Sequence, residues 1–203
     1  MVRMARDRLV MRTLAIALAA AAFGVAMSIL KGNDIGIRDD VGNLSAPWLL
    51  LPFAAGTAAG RRVLVGAVVG LLATVVALLA FYVANAFVLD LGPHSIVNDL
   101  RLTVSPSDYW VRLGLVSGPV FGALGALWRR RGYPSVGLAV VLLLVAEPLF
   151  WEAADRTHAL PRFAFQPSLA ASVSEAGVGV LAFALTALAV RRARSGAALP
   201  AAE

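Results

Sequence analysis

Long apolar runs, separated by short clusters of arginine, are the feature that most constrains this chain. Of its 203 residues, 60% are hydrophobic and 15% are charged, a balance outside the usual range for soluble domains. A helix needs about 20 mostly apolar residues to cross a membrane, because all its backbone polar groups must be bonded within the segment. Six stretches of the chain meet or approach that length. The pattern predicts an all-α membrane protein.

We predict a bundle of six transmembrane helices that forms a single integral membrane domain, residues 1–203. The predicted spans are 13–30, 46–60, 63–89, 109–128, 135–154 and 168–190. The second span is short and contains Pro47 and Pro52, so a kinked or re-entrant segment is the alternative. The first span follows a basic stretch, as in a signal peptide, but it ends without a small-x-small cleavage site. We expect it to remain as an anchor.

The arginine clusters predict the orientation of the spans, because Lys and Arg in short loops stay on the cytoplasmic side. With six crossings, every cluster falls on one face. The arginines concerned are Arg3, Arg6, Arg8, Arg12, Arg61, Arg62, Arg129, Arg130, Arg131, Arg191, Arg192 and Arg194. A re-entrant second span would put Arg61 and Arg62 opposite the N-terminal arginines. We therefore expect a multi-pass protein of the cell membrane with both termini in the cytoplasm and the longest loops, 31–45, 92–108 and 155–167, outside.

Small residues recur at four-residue spacing on the first four spans. Helices in lipid associate by close packing through such residues, because lipid tails remove the hydrophobic driving force between helices. We predict that these residues mark helix contacts inside a compact bundle rather than a dedicated dimer motif. They are Gly56, Gly60, Gly66, Gly70, Gly114, Gly118 and Gly122, with Ala15, Ala19, Ala22 and Ala26 in the first span.

Ionisable residues within the spans are the candidates for function, since each costs about 2.5 to 3.5 kcal/mol on insertion scales and usually faces the bundle interior. We predict a polar layer in the outer half of the membrane. Its members are Tyr82, Asn85, Arg112, Glu147, Glu152 and Glu175. Glu147, Glu175 and Arg112 would line an outward-opening pocket that binds a small solute or relays a proton. A structural ion pair is the alternative.

No catalytic or metal site emerges from the sequence. The chain has no cysteine, and His94 and His158 both fall in predicted outer loops, which is thin support for a metal ligand set. Ser117 in the fourth span has no histidine in the sixth span to act as its base. We predict that the protein is not an enzyme and needs no metal or cofactor. The arginines follow the membrane pattern, so we expect no nucleic-acid partner.

Several short motifs carry a resemblance to a known family. They are Gly42–Trp48, Phe53–Gly56, Ser117–Gly122 and Ala146-Glu147. Together they resemble a family of small actinobacterial membrane proteins of unknown function, over most of the chain. The resemblance implies a shared fold and offers no activity.

The predicted architecture also resembles the S components of energy-coupling-factor vitamin transporters, which have six spans, both termini inside and a solute site near the outer face. In that family, spaced alanines of the first helix dock on a coupling subunit. The resemblance implies that role for Ala15 and Ala19, or for Ala17 and Ala21. It implies that the loop 31–45 acts as a lid.

These features together predict a small-solute binding or transport component with an outward-facing polar pocket. Its expected partners are the lipid bilayer, a small solute and other membrane subunits. Two alternatives stay open. A structural or accessory subunit of a larger membrane complex would need no pocket, and a proton-coupled transporter would need the intramembrane carboxylates to titrate.

Overall fold

The protein is built from helices. The computed structural model describes residues 2–31, 44–88, 96–104, 108–130, 135–143, 145–146, 170, 173–174, 176–181, 184–185 and 187–188. Within these residues, all regular secondary structure is α-helical. The helices with complete boundaries are α1 (Val2–Lys31), α2 (Ser45–Ala59), α3 (Val63–Val88), α4 (Ile96–Val104) and α5 (Asp108–Arg129). The all-α fold class is confirmed.

Three of these helices contain segments long and apolar enough to cross a membrane. The segments are Val10–Lys31, Val63–Phe87 and Trp110–Arg129, with 22, 25 and 20 residues. At about 1.5 Å per residue, each reaches about 30 Å, the thickness of the hydrocarbon core. They confirm the predicted first, third and fourth spans. The chain is therefore a multi-pass membrane protein.

Many large apolar side chains face out of the bundle, and small residues fill much of its interior. Leu18, Leu64 and Phe87 are 72%, 77% and 67% exposed, whereas Ala20 and Ala73 are fully buried at 0%. A soluble domain would bury its large apolar residues. Small residues allow close helix approach in lipid, where outward-facing leucines are well solvated. The distribution therefore fits a bilayer as the solvent.

Helix α1 runs parallel to α3, and helix α5 runs antiparallel to it. Gly24 of α1 lies against Ala77 of α3, and Lys31 at the end of α1 reaches the Phe81 ring at 6.0 Å, so α1 and α3 run parallel. Gly114 near the start of α5 faces Leu78, whereas Gly122 further along faces the early part of α3, so α5 runs antiparallel. Lys31 and the end of α3 consequently lie at the same end of the bundle.

The short helix α2 lies alongside α3 and α5. It has 15 residues and contains the buried Pro52 in its interior, in agreement with the predicted helix at 46–60. Near its start, Trp48 packs on Phe81, which lies about 27 Å along α3. Near its end, the Thr57 hydroxyl lies within hydrogen-bonding distance of the Gly125 carbonyl at 3.2 Å. The two ends of α2 therefore lie near opposite ends of the bundle.

Glycines bring the backbones of α2, α3 and α5 into direct contact. A Cβ placed on Gly56 would collide with the Gly122 carbonyl, and one on Gly70 would lie 2.5 Å from the Gly118 carbonyl. A Cβ on Gly66 would lie 2.6 Å from both the Gly122 carbonyl and the Ala126 Cβ. The prediction that these glycines mark helix contacts is confirmed.

The prediction was wrong for Gly60 and for the alanines of α1. Nothing lies within 4 Å of a Cβ on Gly60, whose φ of 134° instead ends α2 and begins the turn to α3. α1 packs through Ala20 and Gly24. The four alanines predicted to make contacts face outward. In an alanine-rich helix, pairs at four-residue spacing occur on every face, so the spacing does not show which face packs against the other helices. The exposed residues are Ala15, Ala19, Ala22 and Ala26.

The predicted outer loop 92–108 contains the helix α4, which the sequence reading did not expect. Its apolar positions Ile96, Leu100 and Val104 recur every fourth residue, the spacing of one helix face. The segment is too short and too polar to span a membrane, and its sequence therefore predicts a loop. Amphipathic packing against the bundle explains why it is helical.

The predicted fifth and sixth spans are described in part. Residues 135–143, the beginning of the predicted span 135–154, are helical, and Gly137 packs against the Trp128 ring. Residues 176–181 within the predicted span 168–190 are helical too. Much of both spans lies outside the described residues, so their completion across the membrane stays a prediction.

Candidate functional site

An aromatic cluster joins α1, α2 and α3 near the end of the bundle that α4 covers. The Trp48 ring meets Phe23 and Phe81 edge to face, with centroids 5.3 and 5.4 Å away and interplanar angles of 83° and 85°. Phe81 meets Tyr82 similarly, at 5.4 Å and 81°. Each such pair contributes about 0.5–1.5 kcal/mol beyond the burial of its area. The cluster therefore holds three helices together at one depth.

Two buried side chains of α1 and α3 carry polar atoms that lack a hydrogen-bond partner within the described part of the chain. Ser28 is 0% exposed and Asn85 is 4% exposed. The atoms concerned are the Ser28 Oγ and the Asn85 Oδ1. Buried polar atoms in proteins are nearly always hydrogen-bonded. These two atoms are thus the strongest sign of a functional site among the described residues.

Ser28 and Asn85 lie at similar depth. Helices α1 and α3 run parallel, with Gly24 against Ala77. Ser28 lies one turn beyond Gly24 on α1, and Asn85 lies two turns beyond Ala77 on α3. The two side chains are therefore about one turn, or about 5–6 Å, apart along the bundle axis. Tyr82 belongs to the same depth and is 5% exposed.

We refer to Ser28, Tyr82 and Asn85, three buried polar residues at similar positions along α1 and α3, as the buried polar cluster. Its position on α1 and α3 follows from the parallel packing of two helices that are far apart in sequence. Tyr82 packs with Met27 and Phe81, and an apolar environment of this kind makes a buried polar atom more costly to leave unbonded. A ligand that reached this cluster would meet a carbonyl acceptor and a hydroxyl beside aromatic surface.

Helix α4 covers the bundle next to the buried polar cluster. Leu100 and Val104 pack against the group formed by Met27, Phe81 and Tyr82. Val97, one turn before Arg101, is 73% exposed, and Arg101 is exposed as well. The apolar face of α4 thus lies on the aromatic surface, while its other face points away from the bundle.

The structure brings together part of the predicted polar layer. Tyr82 and Asn85 are buried side by side on α3, one turn apart. Arg112 follows Val111, which packs against the group that contains Tyr82, so Arg112 and Tyr82 lie at a similar level along the bundle. Its own side chain is exposed rather than buried. Three predicted members lie outside the described residues: Glu147, Glu152 and Glu175.

Sequence reasoning missed Ser28. The only available signal was a hydroxyl residue inside an apolar run, one turn after Gly24, and a serine in that position is ordinarily taken as a packing residue. Its relation to Asn85 depends on the register of α1 against α3. Nothing in the local sequence of either helix specifies that register.

The remaining candidates show no catalytic or metal-binding arrangement in the part of the chain that is described. No group of three or more His, Cys, Asp or Glu side chains that could hold a metal ion occurs there. His94 and His158 lie outside it. The Ser117 hydroxyl is 3.5 Å from the Gly114 carbonyl of its own helix, which is the usual environment of a helical serine.

The comparison with known families gives one match. Residues 3–202 match the family described as a family of unknown function (DUF6518). The chain therefore belongs to this family, which confirms the expected membership of a family without an assigned activity. No curated protein and no solved structure matches the chain.

Proposed function

We propose that this member of the family is a non-enzymatic, six-span membrane protein that binds a small solute at the buried polar cluster, as a binding or transport component. The observation that carries the proposal is the pair of unbonded buried atoms, the Ser28 Oγ and the Asn85 Oδ1. An unbonded buried polar group costs about 1–3 kcal/mol. A solute with a hydrogen-bond donor would offset that cost at Asn85.

The position of the cluster supports a solute site. It lies on two helices from different parts of the chain, next to an aromatic surface that three helices share. Ligand sites in proteins typically combine apolar and aromatic walls with a few polar groups that fix orientation. In this proposal, Glu147 and Glu175 of the predicted fifth and sixth spans complete the wall, with Arg112 at its edge.

The six-span topology is supported by the course of α2. Its ends lie near opposite ends of α3, so it crosses most of the bundle and does not return to the side from which it came. This geometry favours the spanning alternative over a re-entrant segment. It also keeps Arg61 and Arg62 at the same end as Arg129, which supports cytoplasmic placement of that end and of both termini.

The resemblance to S components supports a transport role by analogy. Ala15 and Ala19 are exposed on α1, where a coupling subunit could reach them. The non-enzymatic part of the proposal rests on the sequence, because no nucleophile and base pair can be assembled from the residues within the spans.

A role as a structural or accessory subunit is the second candidate. It is favoured by the direct backbone contacts of α2, α3 and α5 at Gly56, Gly66 and Gly122, which make a rigid unit without requiring a pocket. In that case the buried polar atoms would bond to other spans. A partner protein would then co-purify in fixed ratio and no solute would be found.

The test is purification of the full chain from native membranes in mild detergent, followed by mass spectrometry of released small molecules and co-purifying proteins. The wild type is compared with the double variant Ser28→Ala/Asn85→Leu. Thr74→Val is the matched control, because Thr74 is also buried on α3 but its hydroxyl is bonded to the Gly70 carbonyl at 3.0 Å.

We expect one metabolite to accompany the wild type and the control, and to be lost from the double variant. A wild type without any bound metabolite, or a metabolite that the double variant keeps, would contradict the proposal. If the double variant is more stable than the wild type and the bound molecules are the same in both, the two unbonded atoms destabilise the fold and do not bind a ligand.

A further inference from the structure

Four arginines from two separate segments meet at one end of the bundle, which we call the arginine end. Arg61 and Arg62 form the turn between α2 and α3, and Arg129 and Arg130 follow each other at the end of α5. All four side chains are exposed. The two pairs are 67 or more residues apart in the sequence. Only the packing of α2 on α5 brings them together.

A specific contact holds these segments in place. The Arg129 Nη1 donates to the Thr57 carbonyl at 2.8 Å and is 3.3 Å from the Ala58 carbonyl. These are carbonyls of the last turn of α2, which lack helical donors and attract positive charge. Because Arg61 follows Ala58 by three residues, the end of α5 is held within about one helical turn of the α2–α3 turn.

The elements that build the arginine end carry almost no negative charge. Residues 41–89 and 109–146 contain no Asp or Glu, and Asp108 lies at the opposite end of α5. The first residues of α1, 2–12, contain one aspartate and four arginines. The positive charge of the arginine end is therefore not compensated by acidic residues of α2 or α3, or by any acidic residue of α5 near this end.

A tryptophan marks the depth of this surface in the membrane. Trp128 precedes Arg129 and stacks on Phe53 of α2, with ring centroids 5.3 Å apart and an interplanar angle of 27°. Tryptophan is enriched at the level of the lipid headgroups, because its ring is apolar and its N–H is polar. We therefore expect the adjoining arginines to lie at the depth of the lipid phosphates.

We propose that Arg61, Arg62 and Arg130 bind the phosphate headgroup of an anionic phospholipid, with Arg129 as a positioning residue that holds the two segments together. Exposed guanidinium groups with planar, multiple donors match phosphate oxygens. Basic residues beside a span attract anionic lipid. The site does not depend on the proposed solute, nor on which side of the membrane the arginine end faces.

The test uses the full chain in neutral detergent, titrated with phosphatidylglycerol, with phosphatidylcholine or with inorganic phosphate. Bound lipid is counted by native mass spectrometry. We expect phosphatidylglycerol to bind in preference to phosphatidylcholine. Each of Arg61→Gln, Arg62→Gln and Arg130→Gln should weaken its binding about fivefold, and the corresponding Lys variants should retain most of it. Arg101→Gln, an exposed arginine on α4, is the charge-matched control and should leave binding unchanged.

The proposal is overturned if phosphatidylglycerol shows no preference over phosphatidylcholine, or if Arg101→Gln weakens binding as much as the other changes. It is also overturned if inorganic phosphate at equal concentration displaces the lipid, since the surface would then be a site for free anions. Should a Gln variant aggregate, its Lys counterpart and the other single variants still decide the outcome, because each tests the surface separately.

Discussion

The Cα of Gly56 in α2 faces the carbonyl of Gly122 in α5 so closely that no side chain could lie between them. Gly122 in turn lies against Gly66 and Gly70 of α3. Three backbones thus meet at Gly122, which makes this residue the point on which the arrangement of α2, α3 and α5 depends. The consequences of that arrangement can be measured.

Gly122→Ala should lower the stability of the bundle. The added methyl would collide with the Gly66 carbonyl and lie 2.8 Å from the Gly70 Cα. Backbone atoms cannot move aside as a flexible side chain can, so we expect a loss of about 1–3 kcal/mol. The measurement is the unfolding midpoint in detergent. Gly177→Ala is the control, because nothing lies within 4 Å of a Cβ there. Equal effects of the two changes would contradict this account.

Arg129→Gln should destabilise the protein more than Arg130→Gln does. Both remove one exposed positive charge, but only the Arg129 guanidinium contacts the Thr57 and Ala58 carbonyls. We expect a difference of about 0.5–1.5 kcal/mol, measured by the same unfolding assay without anionic lipid. Identical midpoints for the two variants would show that the contact contributes nothing.

Phe23 and Trp48 should be energetically coupled. Their rings meet at 5.3 Å and 83°, so a double-mutant cycle with Leu at both positions should give a coupling of about 0.5–1.5 kcal/mol. The control cycle pairs Phe23 with Trp128, which stacks on Phe53 instead. Coupling near zero is expected there. A similar value in both cycles would mean that the measured coupling does not come from the ring contact.

Single cysteines can test the proposed topology, since the chain contains no cysteine of its own. Lys31→Cys and Val97→Cys should react with a membrane-impermeant maleimide in intact cells. Arg61→Cys and Arg130→Cys should react only after the cells are permeabilised. Labelling of Arg61→Cys from the same side as Lys31→Cys would show that α2 does not span the membrane.

The sequence predicted the membrane class, three of the spans and the glycine contacts other than at Gly60, because these depend on local composition. Apolar length decides whether a segment can cross a bilayer, and glycine at four-residue spacing permits close approach whatever the partner. It did not predict α4, since amphipathic packing of a short helix on the bundle depends on the surface that the bundle presents. Nor could it select the packing face of α1, where alanine occurs all round the helix.

The candidate site, too, is predicted by the sequence only in part. Tyr82 and Asn85 are predicted as candidates because polar residues stand out in an apolar run, and their spacing follows from counting residues along one helix. Ser28 is 54 residues from Tyr82 in the chain, and its position relative to Asn85 along the bundle depends on the approach of Gly24 to Ala77. The sequence by itself thus determined that the chain carries segments long and apolar enough to cross a membrane, and how residues are spaced along each helix. The register between helices, set by backbone contacts among small residues, was decided only in the tertiary structure.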